Sequence, residues 1–427
     1  MAPSGPMNLV LWHGYLLAGT GSNIYTQHVA KAWGRLGHDV RVLCQEPHPE
    51  RFDLGPRVRI VRPDIGPLLP TFVLDRYEGV EARRVGEMTP DELSFYLDAN
   101  VAALRAELAG EPADMVLANH AIMGGPVAQS GCAPSATPFA VKLHGSELEY
   151  AIRGDERLAA MARGPLDHAH ASFAGSRHII DVTRELLGDG PYLDRLAIVP
   201  PGVDIDAFTP SAGDRERLLQ LLRDDSPGEH RERHPDPEAA ARLAAVGPFV
   251  LYFGKLLQQK GVHLLLDAWR EVAPRHPELT LVVVGFGTDR DWLESQAGER
   301  VVFTGAMDHV QLQALVPLAE AVVVPSVLPE AFGMVAAEAA SCGVIPVVSD
   351  HSGLAEVADG LGDAARTFDG TAGQLAGTLD DLLAMPPDDR RALGMLGRER
   401  VAERWSWERI AARLVEGIPQ SGEGASP

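Results

Sequence analysis

Two glutamates eight residues apart, Glu330 and Glu338, lie in the run Pro325-Ser-Val-Leu-Pro-Glu330-Ala-Phe-Gly333-Met-Val-Ala-Ala-Glu338-Ala-Ala-Ser-Cys-Gly343. The residues just before, Ala321-Val-Val-Val-Pro325, read as a short buried parallel strand, and the Ala-rich residues after Gly333 read as a helix. The first carboxylate then sits on a loop at the carboxyl end of a strand, where open α/β sheets bind their ligands. The second sits about two turns into the helix that follows. The amides of Phe332, Gly333, Met334 and Val335 head that helix. Unpaired there, they can meet the oxygens of an anionic or hydroxyl-rich ligand. Such a spacing suits a long polar ligand gripped at two points. An isolated pair of this kind would read as a loop glutamate capping its helix and a solvated glutamate on the helix face. The rest of the chain argues for the ligand.

Three other groupings have types and spacings that fit chemistry. Lys255 and Lys260 flank a short segment after a strand, each beside a glycine, Gly254 and Gly261. Two ammonium groups so placed can clamp a diphosphate as point charges, although alone they would read as solvated surface lysines. Gly19 and Gly21 precede a helical pattern. Glycines there allow a tight turn and close approach of backbone to a phosphate, or serve packing alone. His144 stands where the strand pattern of residues 139–143 meets Gly145-Ser146. A lone histidine is more often structural than catalytic.

The elements that must position these residues alternate. Residues 8–12 are an apolar run, 24–36 a helical pattern stopped by Gly37, and 39–43 the next strand. That is a βαβ unit, the seed of a doubly wound parallel sheet. Further strands are expected at 115–117, 139–143, 171–174 and 196–199, with a helix at 93–108 among the intervening stretches. A second alternating set has strands at 249–253, 281–284, 301–303, 321–324 and 345–348, with a helix at 264–273. The domain reading is therefore a first Rossmann-like domain at 1–205, a charged insertion at 206–246 and a second Rossmann-like domain at 247–395. A helical run with Trp405 and Trp407 follows at 396–418, and then a disordered tail at 419–427. The Asp-, Glu-, Arg- and Pro-rich residues 211–246 are expected to be partly helical and exposed. Residues 64–90, with Leu68, Phe72 and Tyr77, form a long segment of little regular pattern. It is either an acceptor-side loop or a surface excursion.

The double-glutamate run resembles the donor-sugar motif of retaining nucleotide-sugar glycosyltransferases of family 4, which have the GT-B fold. The resemblance continues in family order through Gly19-Thr-Gly21-Ser-Asn-Ile-Tyr25, Gly37-His-Asp-Val40, Leu143-His144-Gly145-Ser146, Val199-Pro-Pro-Gly-Val-Asp204, Gly254-Lys255 to Lys260-Gly261, and Leu281-Val-Val-Val-Gly285. It implies an α/β fold of two facing Rossmann-like, doubly wound domains with a cleft between them, the acceptor side at 1–205 and the nucleotide-sugar domain at 247–395, with the 396–418 helix crossing back to the first domain. It implies transfer of a sugar from a nucleotide diphosphate donor, a UDP- or GDP-sugar, to an acceptor hydroxyl with retention at the anomeric carbon. Retaining members are thought to react by front-face displacement, in which the leaving phosphate oxygen helps take the acceptor proton. Stabilising the leaving diphosphate then matters more than a protein nucleophile. The resemblance assigns the donor sugar's hydroxyls to Glu330 and its reacting face to His144. It assigns the diphosphate to Lys255, Lys260, Gly19 and Gly21, the sugar and phosphate oxygens to the amides of Phe332 to Val335, and the ribose to Glu338. Ser22, Asn23 and Tyr25 are assigned to the acceptor, which stays open among a sugar, a lipid-linked sugar, an inositol or a small metabolite. No metal and no cofactor are implied. Three positions depart from the family: Lys255 stands at a usual Arg, Ser146-Glu147 stand where many relatives carry Asp, and Ser352-Gly353 with Glu356 only partly keep a glycine-rich turn.

Composition agrees with this reading. The chain has 427 residues, long enough for two domains, with 45% apolar and 23% charged residues. A formal net charge of −21 argues against a nucleic-acid partner. No apolar run reaches the ~18 residues of a membrane span, which leaves only peripheral membrane contact. The opening Met-Ala-Pro-Ser-Gly-Pro is not a secretory signal, and Cys44, Cys132 and Cys342 do not form a disulfide framework. A cytoplasmic setting is expected.

Two other functions compete. An NAD-dependent oxidoreductase would want Gly-x-Gly-x-x-Gly. Gly285-Phe-Gly287 has Arg at 290, and Gly19-Thr-Gly21 has Ile24 at the third place. A non-catalytic sugar-nucleotide-binding protein would be expected to have lost some of Glu330, Glu338, Lys255, Lys260 and His144, and all are present.

Overall fold

The computed structural model describes residues 5–17, 19, 21–72, 81–225 and 234–416. The expected tail lies outside them, as do Tyr77 and parts of the 64–90 and 211–246 segments. The chain folds as two compact units, one of residues through Gly202 together with residues from Trp407 onward, the other Val203–Ser406. The chain thus changes unit three residues before the expected boundary at 205.

The first unit holds strands β1 (Asn8–Trp12), β2 (Asp39–Leu43), β3 (Val58–Val61), β4 (Leu68–Thr71), β5 (Glu81–Arg84), β6 (Met115–Asn119), β7 (Phe139–Lys142), β8 (Ala171–Ala174) and β9 (Leu196–Ile198). Seven form a parallel sheet in the order β3-β2-β1-β6-β7-β8-β9. β4 and β5 pair separately, so the 64–90 segment holds a small ladder that its sequence pattern hid. The Pro90–Gly110 helix starts at a reciprocal cap: Thr89 Oγ1 accepts from the Glu92 amide, and the Glu92 carboxylate accepts from the Thr89 amide. Leu9, Leu11, Val29, Trp33 and Val42 are buried together with Ile410 and Leu414 of the Trp407–Leu414 helix. Trp33 Nε1 donates to the Ala411 carbonyl at 2.9 Å, which ties the chain's return to this core.

The second unit holds β10 (Phe249–Phe253), β11 (Thr280–Val284), β12 (Val301–Phe303), β13 (Ala321–Val324), β14 (Pro346–Ser349) and β15 (Arg366–Phe368), parallel in the order β12-β11-β10-β13-β14-β15. Strand residues alternate between faces. Phe249, Leu251 and Phe253 enter one core layer, and Val250 and Tyr252 the other. With both faces covered, the strands read as continuous apolar runs.

Two expectations need correction. The 211–246 segment is helical at Arg215–Asp224 and Ala239–Ala244, but it is not simply exposed. Leu218, Leu222 and Leu243 enter the second unit's core, because each helix is amphipathic beneath its charged surface. The single returning helix is two helices. Pro387–Trp405 stays in the second unit, and only Trp407–Leu414 belongs to the first. The break comes at Ser406, which is extended and bridges to Val203. Among the described residues no helix is long and apolar enough to cross a membrane.

Candidate functional site

In the second unit the strand order reverses direction between β10 and β13, the place where open sheets part their loops to admit a ligand. The loop after β10 carries Lys255 and Lys260. The loop after β13 carries Glu330. The two loops are joined at several points. Val327 N donates to the Gln259 carbonyl at 2.9 Å. A Cβ on Gly261 would lie 1.8 Å from the Pro325 carbonyl oxygen, so only glycine lets the loops meet. Lys260 Nζ sits 2.5 Å from Glu330 Oε1, and Ser326 Oγ donates to the same oxygen at 2.6 Å. Lys255 is exposed and forms no ion pair among the described residues. Lys260 therefore serves a carboxylate as well as any ligand.

The helix after Glu330 spans Met334–Ser341. Its first closed bond is Ala336 N to the Gly333 carbonyl, so the amides of Phe332 to Val335 precede the helical ladder. Glu338 is 8% exposed and has no cation partner among the described residues. Burial pushes its carboxyl up to about 8. The glycine-rich turn that was only partly legible proves to belong here. Ser352 Oγ accepts from the Glu330 amide at 2.9 Å, and Gly353 N donates to the Glu330 carbonyl at 3.0 Å.

The dinucleotide fingerprint finds another explanation. A Cβ on Gly285 would lie 1.8 Å from the Gly254 carbonyl oxygen, and one on Gly287 would lie 2.2 Å from that of Leu256. These glycines let the β10 and β11 loops touch, which accounts for them without a pyrophosphate.

The first unit has a corresponding cluster at its own switch point, between β1 and β6. His13 follows β1, Asn119 ends β6 with His120 next, and His144 follows β7. The hydrogen bonds fix the protons. Thr26 Oγ1 spends its one hydrogen on the Ser22 carbonyl at 2.8 Å, so the atom facing it, Asn119 Nδ2 at 2.9 Å, is the donor. Asn119 Nδ2 also faces His13 Nδ1 at 3.1 Å, which leaves the hydrogen on His13 Nε2 for Asn23 Oδ1 at 2.9 Å. Asn119 Oδ1 must then accept from His144 Nε2 at 2.9 Å. His144 is thus an Nε2–H imidazole with a lone pair on Nδ1. Burial holds it well below the usual histidine range, helped by His120, Lys142 and His13 nearby. His13 is lowered to about 3, first by burial and then by His120.

Glu147 is fully buried and accepts from the His144 amide at 2.7 Å through one carboxyl oxygen. The other lies 3.2 Å from His120 Nδ1. His120 Nε2 is buried with no hydrogen-bond partner among the described residues. Its backbone has φ +71°, a strained conformation of the kind that gathers at functional sites. Phe72, from the 64–90 segment, has its ring 4.7 Å from that of His120. Beneath His144, Lys142 is 2% exposed, donates to the Val199 carbonyl at 2.6 Å and lies over the Tyr25 ring.

Gly19 and Gly21 stand at the start of the Gly21–Arg35 helix, Gly19 with φ +102° and open space about it. Ser22 is partly exposed. Asn23 is 2% exposed and Tyr25 3%, the latter edge-on to His144 and Trp407. The sequence reading missed His13, Asn119, His120, Glu147 and Lys142. The common signal of His13, Asn119, His120 and Lys142 was a polar residue at or just after the end of an apolar strand, whereas Glu147 had been noted only as a departure from the family. Among the described residues no group of His, Cys, Asp or Glu is arranged to hold a metal ion.

Two family models match the chain: a glycosyl transferase 4-like domain over residues 20–202 and glycosyl transferases group 1 over residues 239–400. The chain is 37% identical over 187 residues to a glycogen synthase of Mycobacterium tuberculosis, a match covering 42% of this chain and 44% of that relative, less than half its length. It is 30% identical over 287 residues to a GDP-mannose-dependent alpha-(1-6)-phosphatidylinositol monomannoside mannosyltransferase of Mycolicibacterium smegmatis, covering 64% of this chain and 68% of the relative. Among solved structures, the sucrose-phosphate synthase of Thermosynechococcus elongatus is similar with a TM-score of 0.66 at 22% identity, over 95% of this chain and 97% of that one.

Proposed function

Because the chain belongs to the group 1 glycosyltransferases and has the two doubly wound units of the GT-B fold, we propose that it moves a sugar from a nucleotide diphosphate donor to an acceptor hydroxyl, with retention at the anomeric carbon. The observation that carries this reading is the Lys260–Glu330 pair, at 2.5 Å, lying across the switch point of the second unit. One cation for a diphosphate and one carboxylate for sugar hydroxyls are held side by side where a ligand of such a sheet binds.

The roles follow from the surroundings. Lys255 and Lys260 neutralise the leaving diphosphate, and the amides of Phe332 to Val335 receive the sugar and phosphate oxygens. Glu330 accepts from the sugar's hydroxyls. Glu338, lacking a cation partner among the described residues, accepts from the ribose hydroxyls, which supply the donors that burial denies it. Gly19 and Gly21 belong to the phosphate side of the first unit. His144, a neutral imidazole whose side chain caps the Gly145–Glu147 turn, lines the donor sugar's reacting face. His120 Nε2 accepts from a hydroxyl of the acceptor other than the reacting one, with Ser22 at the rim, because a buried ring nitrogen without a partner calls for one. Asn23 and Tyr25 support this cluster from beneath. The leaving phosphate oxygen takes the acceptor proton, so no protein nucleophile is required. Of the GDP- and UDP-hexose donors, the GDP-hexose is favoured, since a relative's name specifies GDP-mannose. An inositol-type acceptor is favoured on the same ground.

The test is nucleotide release from a panel of UDP-, GDP-, ADP- and dTDP-sugars with inositol, phosphatidylinositol and hexose acceptors. Proton NMR of the product reads its anomeric configuration. One donor consumed with retention supports the reading. Inversion would remove the front-face mechanism, and no binding of any nucleoside diphosphate would remove the transferase.

A further inference from the structure

The loop bearing Glu330 is held by a chain of hydrogen bonds that begins and ends on Glu330. Its amide donates to Ser352 Oγ at 2.9 Å. Ser352 Oγ lies 3.1 Å from His351 Nδ1, and His351 Nε2 lies 2.8 Å from the Ser326 carbonyl. Ser326 Oγ returns to Glu330 Oε1 at 2.6 Å. The chemistry of each member sets the proton positions. A carbonyl only accepts, so His351 Nε2 carries a hydrogen. In the neutral ring Nδ1 then has a lone pair, which takes the Ser352 hydroxyl hydrogen. The hydroxyl so polarised is a better acceptor for the Glu330 amide. Both the backbone and the carboxylate of Glu330 are thereby fixed through one imidazole.

Ser352 has φ +55°. A side chain is strained in that conformation and glycine is not. Serine at this place is explained by its hydroxyl, the group that reaches the Glu330 amide. We propose that Ser352, aligned by His351, is a positioning residue that holds Glu330 turned toward Lys260 for the donor sugar. This deepens the donor role assigned to Glu330 and rests on it. His351 acts through the two serines and need not touch the ligand.

Ser352→Gly is the central variant, because glycine takes φ +55° without strain and the fold has no reason to fail. Amide exchange at Glu330 is measured in the full chain for wild type, Ser352→Gly, His351→Ala and His351→Gln. Release of GDP from GDP-mannose and of UDP from UDP-glucose is followed alongside. The expected result is exchange about tenfold faster at Glu330 in Ser352→Gly and His351→Ala, the effect of losing one net hydrogen bond. The same variants should lose about tenfold in kcat while KM for the sugar nucleotide stays within about twofold, the mark of lost transition-state alignment. His351→Gln, whose amide can still donate to the Ser326 carbonyl, should recover part of both. Unchanged exchange at Glu330 in both Ser352→Gly and His351→Ala overturns the clamp. Faster exchange with kcat intact overturns its positioning role. If wild type releases neither nucleotide, it is the transferase reading for these donors that fails, and the exchange rates decide the clamp by themselves.

Discussion

Glu330 and Glu338 stand eight residues apart in opposite surroundings: Glu330 is ion-paired with Lys260 at 2.5 Å, whereas Glu338 is buried with its carboxyl pushed up to about 8. Two acids of one motif are therefore prepared for different work. The paired one is held by the Lys260 ammonium and the Ser326 hydroxyl. The buried one holds its proton more tightly than a free carboxyl does.

The surroundings of Glu338 make stability depend on pH. Its folded pKa, about 8, lies above the ordinary glutamate value of 4.5. The folded state binds the proton more tightly, so this contribution to stability is full below pH 4.5 and is lost as pH rises to about 8. Glu338→Gln removes the titration. Its thermal midpoint relative to wild type should climb between pH 5 and about pH 8 and level off above, by the equivalent of a few kcal/mol at most. A constant difference across that range would show that Glu338 is not held protonated by the fold.

Lys142 predicts the opposite slope. Burial lowers its pKa from 10.5 to about 7, against Glu147, which raises it, and with Arg413, which lowers it further. The unfolded chain then binds the extra proton, and wild-type stability rises between about pH 7 and pH 10.5. Lys142→Met should be most favourable relative to wild type at or below pH 7, and this advantage should shrink toward pH 10. Calorimetry at pH 6.5 and 9.5 compares the two. A gap that widens with pH would mean the ammonium is stabilised in place.

Glu330→Gln separates function from folding. Its ion pair is partly exposed, and such pairs contribute about 0–1 kcal/mol, so thermal stability should barely change. Sugar transfer should fall by about a hundredfold or more, as for loss of one preorganised electrostatic contact. Turnover within a few-fold of wild type would reduce Glu330 to a loop-building residue.

The two lysines should differ in degree. Replacing either with Ala should weaken nucleoside diphosphate binding by about ten- to a hundredfold while leaving the nucleoside alone, the loss of one charge-assisted hydrogen bond. Only Lys260→Ala also releases Glu330, so it should depress kcat more than Lys255→Ala does. Titration calorimetry with nucleoside and diphosphate reads the first effect and initial rates the second. Equal losses for both ligands would place the lysines away from the phosphates.

The sequence by itself determined the alternation of strands and helices, because buried parallel strands are short apolar runs that any register would show. The runs at 249–253, 301–303 and 321–324 coincide with β10, β12 and β13. It also determined that Glu330 and Lys260 are loop residues following strands, since each comes directly after such a run. The polar or proline-containing strands β3, β4, β5 and β15 were hidden, their pairing depending on neighbours distant in the chain. Only the tertiary structure decided that β10 and β13 lie side by side, which brings Lys260 to a carboxylate 70 residues away. It alone gathered His13, Asn119, His120 and His144 from three strand ends, and His351 and Ser352 beneath Glu330. Hydrogen bonds between loops depend on strand order and on protons set by each partner in turn, and neither is written in the spacing of residues along one chain.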